Sequence, residues 1–191
     1  MSINHLHLVF ASLILCLITG CTKELTFDEL ISDLPKASNT KSFSNSEMNY
    51  SFSLPEEFEP VEKEYSDTLW FELFLDKTIP YERGSNMISI VRILSKEKTP
   101  KDVWQNLFEK KLSTENYTLH SKGETNFLEY PSYYAHYSNT ISDQNRETVI
   151  FIVRGKSSDF YVINIETGTE KTYPDNMKKL LSHLRTFHIL N

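Results

Sequence analysis

The sequence contains few cysteines and few glycines, and both shortages exclude classes of chemistry. Its 2 cysteines, Cys16 and Cys21, lie at the end of an apolar leader, so the chain after residue 21 carries no thiol. This excludes disulfides, thiolate catalysis and zinc-thiolate sites from that part of the chain. With 5 glycines and no G-x-S-x-G run, the sequence also lacks a serine-hydrolase elbow and the glycine-rich loops that bind phosphates.

A basic surface is also missing. The formal net charge is −6, and the first 20 residues contain no Asp, Glu, Lys or Arg, so this charge belongs to the rest of the chain. A nucleic-acid-binding domain would show a basic stripe or patch. We therefore expect no nucleic-acid partner and no electrostatic attraction to anionic lipid headgroups.

Residues 1–20 have the features of a lipoprotein signal peptide. The apolar stretch 6–18 is shorter than the roughly 20 residues that a membrane-spanning helix needs. Residues 18–21, ITGC, resemble the bacterial lipobox, in which cleavage occurs before a lipidated cysteine. The resemblance implies cleavage between Gly20 and Cys21 and an acylated Cys21. The alternative is an ordinary secretory signal in which this cysteine is incidental.

Lipidation of Cys21 would place the protein in the bacterial cell envelope. Several acyl chains hold a protein stably at a membrane, because each buried methylene contributes about 0.8 kcal/mol. Thr22 stands where an aspartate often retains lipoproteins in the inner membrane of Gram-negative bacteria. In such a bacterium the resemblance implies the outer membrane, facing the periplasm. The leader departs from the usual pattern in one respect, since it has no Lys or Arg.

Composition divides the remaining chain into a tether and one domain. Residues 21–49 are expected to be a lipidated N-terminus and a flexible tether rich in Ser, Asn, Thr and Lys. Thr26 and Glu29 have capping-box spacing there, which predicts a short helix. Residues 50–191 are expected to form a single globular domain, because a chain of this size buries enough apolar surface to fold without disulfides.

Alternating apolar residues predict a mostly antiparallel sheet in that domain. The expected strands are Tyr50–Leu54, Leu69–Leu75, Met87–Leu94, Tyr117–Phe127, Tyr130–Tyr137 and a hairpin formed by ETVIFIVRG and DFYVINIE. Several of these strands carry apolar residues on both sides, so the sheet must be covered on both faces.

Two helices are predicted to supply this cover. The first has Thr99 as its N-cap and Pro100 in its first turn, with an apolar face that includes Val103, Leu107 and Leu112. The second starts near Pro174 and repeats apolar residues at helical spacing, namely Met177, Leu180, Leu181 and Leu184. The predicted fold class is therefore α/β in the α+β sense, a mostly antiparallel β-sheet sandwiched between helices.

The order of these elements resembles the Mog/PsbP-like family. The resemblance is carried by the strand YSFSLPEEF, the helix TPKDVWQNLFEKKL and a terminal helix that runs into LRTFHIL, and it covers residues 50–190. It implies an α/β/α sandwich and a noncatalytic adaptor, since the family includes a photosystem II extrinsic subunit, a Ran binder and envelope lipoproteins. It supplies no binding residue for this chain.

Histidine spacing predicts no metal site. The histidines after the leader are His120, His136, His183 and His188. No two of them are four residues apart, as they are in the zinc-binding helix of metalloproteases. We interpret them as structural or surface residues, and we expect no metal ligand, no cofactor and no catalytic residue.

Two further sequence patterns favour a structural role over a catalytic or ligand-binding role. Glu56 and Glu57 could serve as an acid and a base, but they lie in a strongly acidic segment that is typical of a solvated loop. The aromatic stretch YPSYYAHY, residues 130–137, could stack against a ligand. Its alternation instead favours core packing in a sheet that is covered on both faces.

The function that these features favour is binding of a protein or envelope partner. Residues 56–67 are expected to form an acidic loop with exposed apolar groups, and Glu59, Glu62 and Glu64 are its candidate partner-binding residues. The alternative for this segment is a solvated connection whose Phe58 fills the core. The alternative function is a small ligand-binding protein or enzyme that uses a cleft beside the sheet.

We predict that Cys21→Ala abolishes lipidation and leaves an unprocessed precursor or a soluble exported protein. Mass spectrometry of the mature N-terminus in the wild-type protein should detect an acylated cysteine. A wild-type terminus without an acyl adduct would overturn the lipobox interpretation.

Overall fold

The computed structural model of the protein describes residues 25–65, 69–79, 86–110, 117–141, 144–168 and 173–190. Seven strands form its large sheet: β3 (Phe58–Tyr65), β4 (Leu69–Asp76), β5 (Met87–Leu94), β6 (Tyr117–Thr125), β7 (Ser132–Ile141), β8 (Gln144–Arg154) and β9 (Asp159–Gly168). Their spatial order is β3-β4-β5-β9-β8-β7-β6, and all neighbours are antiparallel.

A small sheet of three strands lies against one face of the large sheet. It consists of β1 (Thr40–Asn45), β2 (Tyr50–Pro55) and β10 (His188–Ile189), with β2 in the middle. Two helices, α1 (Phe27–Ile31) and α3 (Tyr173–Leu184), complete this layer. We call the face of the large sheet under this layer the covered face.

The N-terminal part of this layer differs from the flexible tether predicted over residues 21–49. Residues 40–45 form strand β1, which pairs along the full length of β2. Phe27, Leu30 and Met48 are buried in the core. The segment is polar in composition, but its few apolar side chains and its backbone hydrogen bonds have partners in the domain, so it folds with it.

The short helix α1 is confirmed, together with its capping box. The Thr26 hydroxyl accepts a hydrogen bond from the Glu29 backbone N–H at 3.3 Å, and the Glu29 carboxylate accepts one from the Thr26 N–H at 2.8 Å. These bonds satisfy backbone donors that a helix start leaves without partners. They fix the residue at which α1 begins.

The larger core lies between the covered face and the layer above it. Helix α3 contributes the four residues predicted from its periodicity, each at most 1% exposed: Met177, Leu180, Leu181 and Leu184. They meet apolar side chains of the sheet, including Phe151, Tyr161 and Ile163. The predicted terminal helix and its buried face are therefore confirmed.

The smaller core lies on the opposite face of the large sheet, under helix α2 (Pro100–Trp104). Thr99 caps this helix and Pro100 occupies its first turn, as predicted. Val103 and Trp104 are buried against side chains of β7, β8 and β9. The fold class is confirmed as a mostly antiparallel sheet with helical cover on both faces.

One expectation for α2 is wrong. Leu107 was assigned to the buried face by its spacing, yet it is 50% exposed. The helix continues from Gln105 to Glu109 as a π-helical turn, whose wider i→i+5 bonding moves side chains out of the α-helical phase. Leu112, assigned to the same face, lies outside the described residues.

We predict that Leu181→Ala lowers the free energy of unfolding by about 2–5 kcal/mol, because it leaves a cavity in the larger core. Urea unfolding measures this loss. Lys178→Ala on the same helix is the control, since Lys178 belongs to neither core, and it should change the value by about 0.5 kcal/mol or less. Equal stability of Leu181→Ala and the wild type would contradict this packing.

Candidate functional site

One half of the large sheet has an apolar face that no helix covers among the described residues. Helix α2 packs over β7 and β8, whereas β4 and the start of β5 lie beyond its reach on the same side. We call this the open face, and it consists of Leu69, Phe71, Leu73, Leu75 and Met87. All of these side chains are partly or fully exposed, and none of them belongs to either core.

The other side of β4 is buried at Glu72, Phe74 and Asp76. Phe74 is 0% exposed and packs edge-on against Phe43 and Phe52, with ring centroids 4.8 and 5.5 Å apart. Glu72 is also 0% exposed, where it accepts a hydrogen bond from the Tyr50 hydroxyl and forms an ion pair with Lys63 at 3.3 Å. Alternation along one strand thus separates a buried side from a partly exposed apolar side.

An acidic row borders the open face. In the register of β3 with β4, Glu59 is opposite Leu75 and Glu64 is opposite Phe71. Cross-strand neighbours in this register share one face of the sheet, so these carboxylates lie beside the open face. Glu62 is opposite Leu73 in the same register. We call this row, Glu59, Glu62 and Glu64, the acidic edge.

A β-bulge produces this row. Regular alternation would place residues 59, 61 and 63 on one side, but the register shifts between Pro60 and Glu62. The extra residue, Val61, absorbs one position, so positions 62 and 64 return to the side of Glu59. Lys63 is directed to the covered face, where it pairs with Glu72. The bulge therefore keeps this lysine out of the acidic edge.

The structure corrects the prediction that residues 56–67 form a loop. Residues 58–65 are the edge strand β3, and residues 66–67 lie outside the described residues. Phe58 is 1% exposed and fills the larger core, as the alternative interpretation proposed. A proline, a bulge and charged residues on an edge strand disfavour pairing with a further strand. This edge is therefore suited to side-chain contacts.

The electrostatics around Glu59 favour its ionised carboxylate. Lys77 donates a hydrogen bond to the Glu59 carboxylate, and this bond holds the pKa of Glu59 below its usual value. Both side chains are about half exposed. Glu64 is exposed. Glu59 is thus solvated and ionised at neutral pH.

A second polar arrangement lies on the covered face, where β6, β7 and β8 adjoin the start of α3. His120, His136 and Glu147 come from these three strands, and their ligand-type atoms all lie within 4.8 Å of one another. The Glu147 Oε2 atom is 3.0 Å from His136 Nε2 and 3.5 Å from His120 Nε2. We call this group the histidine–glutamate cluster.

Two hydroxyl groups extend the cluster. The Tyr173 hydroxyl from the first turn of α3 is 3.3 Å from His136 Nε2, and Ser138 Oγ is 3.0 Å from His120 Nε2. The side chains of His120, His136 and Glu147 are 5%, 1% and 12% exposed. Two imidazoles and a carboxylate shielded from water are a donor set that could hold a transition metal ion.

Sequence spacing did not indicate this cluster. His136 and Glu147 are 11 residues apart and meet because β7 and β8 form a hairpin. A second register shift, between Leu119 and Ser121, lies at His120 on β6. Only the strand register, which a helical spacing rule does not test, brings these side chains together.

The aromatic stretch of residues 130–137 packs in the core, as alternation predicted. Tyr134 stacks on Phe27 with ring centroids 4.0 Å apart, and Tyr133 is 6% exposed beside Trp104. The possible acid–base pair of Glu56 and Glu57 is also structural in part, because Lys179 donates a hydrogen bond to the Glu57 carboxylate. Gly20 and Cys21 lie outside the described residues.

A cleft of about 340 Å³ lies between the start of α2 and the junction of β6 and β7. Its walls include Lys101, Glu124 and Tyr133. Both charged residues are exposed to solvent. These solvated charges distinguish the cleft from the enclosed pockets that are typical of ligand-binding sites.

No protein family matches this chain by sequence, and no curated protein matches it. Within the described residues, no helix has the length and apolar character needed to cross a bilayer.

Solved structures match the fold. Cyanobacterial PsbP from Synechocystis sp. PCC 6803 aligns with a TM-score of 0.56 at 16% identity, covering 89% of this chain and 99% of that chain. The Ran-binding protein Mog1p of Saccharomyces cerevisiae aligns with a TM-score of 0.55 at 12% identity, covering 81% and 97%. LpqN of Mycobacterium tuberculosis, which is involved in cell envelope biogenesis, aligns with a TM-score of 0.55 at 10% identity, covering 88% and 99%.

These identities are low, so the likeness establishes the fold alone. The expected similarity to PsbP and Mog1p in architecture is confirmed. The chain is thus similar in fold to cyanobacterial PsbP, to a Ran-binding protein and to a protein involved in cell envelope biogenesis.

We predict that two phenylalanines on β4 contribute very differently to the free energy of unfolding. Phe74→Ala should lower the free energy of unfolding by about 3–5 kcal/mol, because Phe74 is buried in the larger core. Phe71→Ala should lower it by about 1 kcal/mol or less, because Phe71 lies on the open face. Urea unfolding of both variants measures the difference. Equal losses would mean that the open face is packed.

Proposed function

We propose that this protein is a lipid-anchored, noncatalytic protein of the bacterial cell envelope that binds another protein through the open face and the acidic edge. The observation that carries this proposal is the apolar side of β4, which packs against neither core although the strand lies inside the large sheet. Contiguous exposed apolar groups with a polar border are typical of protein interaction sites.

The chemistry of the partner follows from the chemistry of this surface. Leu69, Phe71, Leu73, Leu75 and Met87 would form the desolvated centre of an interface, and the acidic edge would form part of its polar rim. Complementarity requires an apolar patch on the partner that is bordered by lysine or arginine. Negative charge on the rim would accelerate encounter with such a partner, and this acceleration would weaken with salt.

Two solved structures support a binding role for this architecture. Mog1p is a Ran-binding protein, and LpqN is involved in cell envelope biogenesis. Neither likeness assigns a partner to this chain. They support the proposal because proteins of this fold include one that binds another protein and one that is involved in cell envelope biogenesis.

The proposed anchor would hold the domain near the membrane. Cys21 precedes Thr26, the N-cap of α1, by five residues, and a fully extended chain spans at most about 3.6 Å per residue, or about 18 Å here. Phe27 at the start of α1 packs against Tyr134 on the covered face. The start of α1 and the open face lie on opposite sides of the large sheet, so the proposed anchor would be joined to the domain on the side away from the open face.

We propose that the protein is noncatalytic because its candidate acidic and basic side chains are either hydrogen-bonded to a neighbour or exposed to solvent. Glu57 is bonded to Lys179, and the charged residues of the cleft, Lys101 and Glu124, are solvated. An acid or base for catalysis normally lies in a pocket that shifts its pKa toward the working pH.

Site-specific photocrosslinking in native membranes tests the partner-binding proposal. A photoreactive phenylalanine analogue at position 71 should give discrete protein adducts. The same analogue at position 107, which is exposed on α2, is the matched control and should give few. Equal adduct yields at both positions would contradict binding through the open face, and adducts with a second copy of this chain would replace the proposed partner by a homodimer.

We predict that Glu59→Lys, Glu62→Lys and Glu64→Lys together reduce the adduct yield from position 71 and remove its dependence on salt. Thermal stability should change little, because exposed charges contribute little to it. The control reverses Glu47, Glu124 and Glu129, three exposed glutamates away from β3, with the same change in net charge. Equal yields for both triple variants would exclude the acidic edge from the interface.

A further inference from the structure

We propose that the histidine–glutamate cluster is a binding site for one divalent zinc ion. His120, His136 and Glu147 would be its protein ligands, and the Tyr173 hydroxyl would occupy or support the fourth position. The proposal rests on donor geometry and burial within the described residues, and it is independent of partner binding.

Two of the three distances between donor atoms in the cluster are close to those of a zinc site, and all three atoms lie within 4.8 Å of one another. In a tetrahedral zinc site with bonds of 2.0–2.1 Å, neighbouring donor atoms are roughly 3.3 Å apart. The Glu147 Oε2 atom lies 3.0 Å from His136 Nε2 and 3.5 Å from His120 Nε2, on either side of that value. Small side-chain rotations would complete the coordination.

Burial separates this cluster from an ordinary surface contact. The His136 side chain is 1% exposed and the His120 side chain is 5% exposed. Polar side chains seldom converge in a buried position without a strong interaction that compensates for lost hydration. The hydrogen bonds within the cluster supply part of that compensation, and a zinc ion would add to it for both imidazoles and the carboxylate at once.

The ligand types favour zinc over the alkaline-earth ions. Calcium and magnesium take oxygen ligands and require more of them than this cluster supplies. Imidazole nitrogen suits zinc and other late transition metals, and a set of two histidines and one glutamate is a known zinc set.

The position of the cluster indicates a structural role for the ion. His120 lies on β6, the edge strand, His136 and Glu147 lie on β7 and β8, and Tyr173 begins α3. Through these residues one ion would link the edge of the large sheet to the start of the terminal helix. Zinc binding would therefore stabilise the fold, since a ligand that binds only the folded state raises its stability.

Metal titration of the purified full-length protein in detergent tests this site. After treatment with a chelator and its removal, we expect one equivalent of Zn²⁺ to bind by calorimetry and to raise the thermal midpoint. Co²⁺ should give the visible absorption of a tetrahedral site with nitrogen and oxygen ligands. Mg²⁺ should do neither.

Variants locate the bound ion. Glu147→Gln and His120→Gln remove ligands and should weaken Zn²⁺ binding more than the roughly 10–100-fold typical of a lost outer-shell partner. Tyr173→Phe should weaken it within that range. His188→Gln is the control, because His188 is exposed and outside the cluster, and its affinity should equal that of the wild type.

Two results would overturn the proposal. One is the absence of stoichiometric Zn²⁺ binding to the wild-type protein. The other is binding that persists unchanged in Glu147→Gln and His120→Gln. Circular dichroism and the thermal midpoint without metal show whether each variant is folded, and Tyr173→Phe, which removes a single hydroxyl, provides a test if the ligand variants fail to fold.

Discussion

The large sheet has two apolar faces, and the need to cover both governs the rest of the structure. Neighbouring residues in its central strands, such as Ile150 and Phe151, are both almost fully buried although they point to opposite faces. The small sheet, α1 and α3 cover one face. On the other face the described residues provide one short helix, α2, which reaches β7 and β8. The part of this face that no described helix covers is the open face, and it is the candidate interface.

A single inserted residue determines which charged side chains lie beside the open face. The bulge at Val61 changes the alternation of β3, which aligns Glu59 and Glu64 beside the apolar row of β4 and sends Lys63 to the buried Glu72. The same bulge, with Pro60, disfavours the addition of another strand to this edge. Protection of the edge and presentation of negative charge are therefore consequences of one local irregularity.

Local signals predicted local structure well. The caps at Thr26 and Thr99, the start of α3 near Pro174 and the hairpin of β8 and β9 depend on contacts within a few residues. Patterns that depend on distant partners were less informative. The polar segment of residues 40–45 becomes a strand only because β2 is available beside it, and Leu107 leaves the buried face because α2 continues as a π-helical turn.

The sequence by itself determined the strand pattern, the amphipathic helices, the shortage of thiols and the lipobox resemblance at Cys21. Each of these depends only on composition or on residues that are close in sequence. The sequence also singled out Glu59, Glu62 and Glu64 as candidates from composition alone. Only the tertiary structure decided that these residues border an uncovered apolar face and that His120, His136 and Glu147 converge. Both arrangements arise from bulges and strand register, and a shift of one residue in register sends every side chain to the other face of a sheet.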